Sequence, residues 1–406
     1  MKTIILVVLA IAACEAAEPK LRFAWKEVDY KWDSPTQKED AIKDGKFVAA
    51  NNLPLGLDRW KDKLFVTVPR WKSGVSSSLN YLKLDSPIDS PLIPYPSWKD
   101  NLVADDAKEL PTNSSIVSVF RIFVDRCDRL WVLDTGLADI FGAGNQIAGP
   151  SLVIFDLTND QLIHRYYFKA ADMKEDSFFA NVAVDVDKDK CDDAFAYVAD
   201  LGGYGIVVYS LKQDKSWRVA HHYFHFEPLA GSYKVGGIEF QWTDGVFGLA
   251  LSEPKENGYR ALFFHAMSST KEFCVSTELL RNWPLLDKEQ AFRDFKLLGD
   301  RGENCQASAS SYDNKTDVLF YSMVNRNGIG CWNTKKPYTQ ENNPLIFSDP
   351  VLYEFPNDLK VDHENTLWWL TDRLPRFLYK SLDPNDVNHR IFSISTTDAV
   401  AGTACA

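Results

Sequence analysis

One pattern recurs along the chain and constrains its fold more than any other feature. It is an apolar strand, a turn carrying Asp or Asn, a second strand rich in aromatic and β-branched residues, and a third apolar strand. The clearest copy contains VFRIFVDRCDRLWVLDTG and, after a loop, PSLVIFDL. An earlier copy runs from Leu53 to Leu84. Later ones contain NVAVDVDKDKCDDAFAYVAD, GVFGLALSEPKENGYRALFFHAM, ASASSYDNKTDVLFYSMVNRNGIGCWN and NDLKVDHENTLWWLTDRLPRFLY. The six copies begin roughly 50 to 70 residues apart, which is the spacing of propeller blades. Each unit is a small antiparallel sheet that cannot bury both faces alone, so radial stacking is the economical solution. The pattern therefore predicts an all-β, six-bladed β-propeller.

Helical signals are sparse. The stretch from Glu278 to Phe295 has some 3.6-residue periodicity broken by Pro284, and it is expected as an excursion between the fourth and fifth copies. The Pro-, Ser- and Asp-rich segment 86–111 is expected to be loop.

The first 16 residues have a positive start, an apolar run of about a dozen residues and small residues before a cut after Ala16. They are expected to be a secretory signal peptide, with residues 17–406 forming one propeller domain in a secreted, extracellular protein. No later stretch is apolar for long enough to suggest a membrane span. The net charge of -11 argues against nucleic acid and anionic membrane as partners, since both demand clustered Lys and Arg.

Seven cysteines are present, of which Cys14 lies in the expected signal peptide. The remaining Cys127, Cys191, Cys274, Cys305, Cys331 and Cys405 suggest three disulfides in an exported protein, with fifteen connectivities open. No CxxC occurs, which argues against structural zinc. Asn113 and Asn314 each head a glycosylation sequon, placing both turns at the surface.

Motifs of chemistry are few. No GxSxG, Walker loop, HExxH or GxGxxG is found, and neither a cofactor nor a metal is expected. His221, His222 and His225 superficially suggest a metal, but their context reads as strand. Residues 221 and 225 would then sit about 13 Å apart, too far to share an ion. LGGYG, 201–205, is a turn between strands.

In a propeller, the residues just before each innermost strand ring one mouth of the central channel. Here they include Asn181, Asp244, Asn357 and Asp358, with Phe179, Trp242 and Phe355 beside them. Carboxylates and amides next to aromatic rings suit a small ring-bearing cation, the charge meeting a carboxylate and the ring a π face. Ordinary strand-leading residues would also account for them.

Five stretches carry a family resemblance: LFVTVPRWKSGVSSSLNYL, DRCDRLWVLDTG, NVAVDVDKDKCDDAFAYVAD, GIGCWNTKKPY and VAGTAC. Together they span nearly the whole expected mature chain, in order, and resemble the yellow/major royal jelly protein family of insects. PRWKSGV and TDRLPRFLY are most similar to the yellow-type members. The resemblance implies a six-bladed propeller and pairing of Cys127 with Cys191 and of Cys331 with Cys405. Cys274 and Cys305 depart from that four-cysteine pattern and, as the pair left over, are expected to bridge the base of the 275–304 excursion. It also implies that the FPND of Phe355 to Asp358 belongs to the channel end that holds biogenic amines.

The function so implied is a secreted protein of cuticle pigmentation that binds a catechol- or indole-derived small molecule at the channel. One alternative is a dopachrome-converting tautomerase, for which Asp358 is the candidate proton-transferring carboxylate. A second is a carrier of biogenic amines. The chain is also similar, in having Asn181, Asn357 and Asp358 with Glu303 and Asn304 nearby in sequence, to calcium-dependent lactonases, whose ion requires converging oxygen ligands.

Overall fold

In the computed structural model, residues 17–104 and 106–406 are described; the expected signal peptide lies outside them. Six four-stranded antiparallel sheets form the molecule. Their innermost strands are Gly56–Trp60, Val119–Val124, Phe179–Asp185, Val246–Leu251, Ala307–Asp313 and Pro356–Val361, numbered here as blades one to six. Each touches the innermost strand of the next blade, and that of blade six touches that of blade one. The ring is closed, and the molecule is a six-bladed β-propeller.

The repeated turn has a physical origin. In blade two, Asp125 Oδ1 accepts the amides of Cys127 and Arg129, while its Oδ2 accepts the Trp131 indole at 2.8 Å. Blade six repeats this with Asp362, the amides of Glu364 and Thr366, and the Trp368 indole at 2.8 Å. The last turn residue is left-handed in three blades, at Asp128, Asp317 and Asn365. Asp and Asn tolerate that conformation best, which explains their recurrence in these turns. Gly136, in the DTG that follows Trp131, also has positive φ, and a Cβ there would come 2.0 Å from the Ala148 carbonyl. Trp131, Val132 and Leu133 are fully buried between blades.

The ring is fastened by its N-terminus. Lys20–Trp25 is the outermost strand of blade six, antiparallel to His389–Ser395, with Trp25 opposite His389. The C-terminal tail follows directly after His389–Ser395. That tail is also tied down, because Cys331 of blade five bonds Cys405 with Cα atoms 6.2 Å apart. Cys127–Cys191 joins the equivalent turns of blades two and three, with Cα atoms 5.9 Å apart.

The third expected bridge does not form: among the described residues Cys274 and Cys305 are free. Cys274 faces Lys296 in the blade-four ladder, whereas Cys305 follows Asp300, which pairs with Lys271 at the other end of that ladder. Three residues of strand separate those ends by about 10 Å, beyond the reach of a disulfide.

Two local expectations are also revised. HHYFH is not strand: His222–Phe224 is a 3₁₀ turn capped by His221, whose Nδ1 accepts the Tyr223 amide. His221 stacks on Phe295 at 4.1 Å, and burial lowers its pKa to about 4. Segment 86–111 is not all loop, since Ile93–Pro94 completes blade one and Trp98–Asn101 forms a helical turn. The 278–295 excursion contains the helices Thr277–Asn282 and Lys288–Ala291, separated by a 3₁₀ turn at Pro284.

Candidate functional site

The two mouths of the channel are built differently. At the leading ends of the innermost strands, apolar side chains from several blades converge. Phe120, Phe247 and Phe355 are buried there with Leu55, Ala180 and Met267. Directly beside this plug lies Arg121, fully buried, its guanidinium 5.3 Å from the Phe120 and Phe247 ring centroids. It donates to the carbonyl of Leu55 and to both the carbonyl and Oδ1 of Asn357. Asn357 Nδ2 in turn donates to Asp372 Oδ2 at 2.6 Å, and burial pushes the Asp372 carboxyl well above the usual range.

The residues singled out from sequence fall in or around this plug. Asp358 is fully buried, with Oδ2 accepting the Leu57 amide and Oδ1 its neighbour Leu359, 3.4 Å from Arg121 Nε. Asn181 donates to the Phe247 carbonyl, and Phe179 packs between blades two and three. Half-buried Trp242 and Asp244 lie further out. Trp242 joins Phe240, Tyr233 and Phe355 in an aromatic cluster, its indole donating to the Tyr379 hydroxyl at 2.6 Å. Burial raises Asp244 to about 6. The structure thus gathers Asn357 and Asp358 around Arg121, and Trp242 and Phe355 around one another, but not all seven in one pocket.

Glu303 and Asn304 are exposed, away from buried Asn181, Asn357 and Asp358, so this set does not converge on an ion. Among the described residues no group of three His, Cys, Asp or Glu side chains could hold a metal. Nor, among them, is any helix long and apolar enough to cross a membrane. Asn113 and Asn314 are both exposed.

The trailing half of the channel is open. A cavity of about 440 Å³ lies there, lined by all six innermost strands. Its inner wall includes Asp58 of blade one and Lys360 of blade six, 5% and 6% exposed. Asp58 Oδ2 accepts the Val124 amide at 2.7 Å and Oδ1 the Arg59 amide at 2.8 Å. Burial raises its pKa to about 7, with Asp358 adding to the rise and Lys360 and the two amides opposing it. The Lys360 ammonium lies 5.5 Å from the centroid of Phe123, also in the wall. Ser310 of blade five contributes a buried hydroxyl with no hydrogen-bond partner among the described residues. Ala183, Val184, Leu249 and Ala250 supply an apolar side.

Cross-blade pairs ring the outer rim. Arg126 of blade two reaches Glu253 of blade four at 2.7 Å, and Arg59 of blade one reaches Asp362 of blade six at 2.7 Å. Asn365 Nδ2 donates to Asn314 Oδ1. Sequence reasoning had passed over Asp58, Phe123, Ser310 and Lys360. A signal existed: Asp58 and Lys360 each place a charge at a buried position of an innermost strand, in GLDRW and NDLKV.

Comparison with known proteins follows the same lines. Protein yellow of Drosophila subobscura is 39% identical over 412 residues, covering 99% of this chain and 70% of that protein. Protein yellow of Drosophila melanogaster is 38% identical, over 98% of this chain and 73% of its own length. Dopaminechrome tautomerase of Drosophila melanogaster is 41% identical over 391 residues, covering 94% of this chain and 83% of that protein. Among solved structures, a nidogen/laminin complex matches 86% of this chain and 93% of that one at 8% identity and a TM-score of 0.39, too distant to inform function. Residues 117–405 match the family model described as Major royal jelly protein. With that match and relatives of this identity over nearly its whole length, the chain belongs to the yellow/major royal jelly protein family.

Proposed function

We propose that this is a secreted yellow-type protein of the insect pigment pathway, glycosylated at Asn113 and Asn314, that holds a catechol- or indole-derived small molecule in its channel. The observation that carries this reading is the cavity in the trailing half of the channel. Its volume suits a bicyclic molecule, and its wall combines a cation, a carboxyl, an aromatic face and an unpartnered hydroxyl. The leading mouth, beside Asn357 and Asp358, is filled by Phe120, Phe247 and Phe355. A ligand there would be confined to the outer cluster around Trp242.

A second reading, conversion of the ligand by tautomerisation, is favoured by Asp58, whose near-neutral carboxyl stands beside an ammonium in the same cavity. The relative named Dopaminechrome tautomerase lends it weight.

Calorimetric titration of the purified protein with dopamine, serotonin and freshly generated dopaminechrome tests the binding reading. Saturable heat with at least one of them, weakened in Phe123→Ala, is expected. No heat with any of the three contradicts it.

A further inference from the structure

We propose that Asp58 and Lys360 are the acid–base pair of the channel cavity, Asp58 taking a proton from a saturated ring carbon of a bound aminochrome while Lys360 holds and protonates its quinone oxygen. This rests on the reading that the cavity binds a catechol-derived molecule and tautomerises it, and adds the pair of residues that perform the proton transfers.

The placement of the two side chains supports these roles. They come from the neighbouring innermost strands of blades one and six, and both line the cavity while nine-tenths or more buried. Each Asp58 oxygen accepts one backbone amide, which leaves each a further lone pair for a proton. Lys360 lines the cavity beside the Phe123 ring, where an anionic or carbonyl oxygen of a ligand can accept from its ammonium. Ser310 offers a second free polar group from blade five, and Phe123 a face for a planar ring. Asp358 on the Lys360 strand is the other charged group that acts on Asp58, and it is itself turned toward Arg121.

The titration of Asp58 agrees with this geometry. Its pKa of about 7 lets it alternate between base and acid near neutral pH, the condition for efficient proton transfer.

The chemistry balances without an oxidant. Asp58 removes a proton from a saturated carbon of the aminochrome, so a C–H bond breaks. The electron pair moves through the conjugated ring to a quinone oxygen, which takes a proton from Lys360. Asp58 then returns its proton to Lys360 through the open mouth. A second transfer of the same kind gives a dihydroxyindole with the same atoms and electrons as the aminochrome.

The test follows decay of dopaminechrome absorbance, with binding measured separately by calorimetry. Wild-type protein is expected to accelerate decay. Asp58→Asn is expected to keep affinity within about threefold and to lose conversion by about 100-fold or more, the range attributed to a general base. Conversion by Asp58→Asn at the wild-type rate overturns the inference while leaving the binding reading intact. Binding without any wild-type acceleration has the same effect. Absence of both binding and conversion in the wild type removes the binding reading itself. Lys360→Met gives a second readout should Asp58→Asn fail to fold. Removing the proton donor lowers conversion, and because Lys360 also holds the Asp58 pKa down, the residual rate has its pH midpoint at higher pH. An unmoved midpoint overturns the inference.

Discussion

Arg121 reaches from blade two to blade six, where its Nη2 donates to the Oδ1 of Asn357 at 2.7 Å and to the Asn357 carbonyl at 2.9 Å. The contact joins residues 236 positions apart and seals the channel just inside the aromatic plug. It turns a motif expected to bind ligand into an internal tie.

Removing that tie should cost stability before it touches ligand affinity. Arg121→Met leaves Asp358, Asp372 and the Asn357 amide without their cation, and breaking a buried ionic network costs about 3–5 kcal/mol. Denaturant unfolding should register that loss. A change below about 1 kcal/mol would mean that Arg121 does not hold the ring.

The turn disulfide has a narrower task. Cys127–Cys191 closes 64 residues of chain, and its replacement by serines should lower stability by about 2–4 kcal/mol. Thiol titration of the unreduced, denatured protein should count two thiols, Cys274 and Cys305, since these alone are unpaired among the described residues. A count of zero would restore the third bridge.

Asp58 makes stability depend on pH in a defined direction. Its folded pKa of about 7 lies above the ordinary 3.8, so the folded state binds the proton more tightly. The associated stability is fully present below about 3.8 and is lost as pH rises through 7. Asp58→Asn should remove this component, so the difference between wild type and variant should shift in favour of the variant by a few kcal/mol from pH 4 to pH 8. A difference that stays constant over that range would refute the raised pKa.

At the rim, the Arg126–Glu253 pair spans the trailing mouth with both side chains about two-fifths exposed. An exposed pair is worth about 0–1 kcal/mol, so Arg126→Ala should speed ligand association by no more than about fivefold. High salt should produce the same gain in the wild type and none in the variant, as stopped-flow fluorescence would show.

The fold was legible because its signals are local. Strand alternation, the Asp125 and Asp362 turns and their paired tryptophans repeat within short windows, and six windows make a ring. The fastening strand Lys20–Trp25 was not legible as such, because its partner His389–Ser395 lies at the far end of the chain and no local pattern links them. Cysteine counting failed for Cys274 and Cys305 for a related reason: parity carries no distances.

The site was half legible. Sequence order located the leading ends of the innermost strands, but not which end of the channel side chains would fill. That outcome depends on Phe120, Phe247 and Phe355 converging from three blades, and on Arg121 satisfying Asn357 and Asp358. The open end was marked only by Asp58 and Lys360, charges whose side chains no local pattern assigns to the channel.

The most direct measurement is a crystal structure of the protein soaked with dopamine. We expect ligand density in the trailing cavity, with the ring against Phe123 and a hydroxyl oxygen within hydrogen-bond reach of Lys360. Density confined to the cluster around Trp242 and Tyr379, with the trailing cavity unoccupied, would contradict the account.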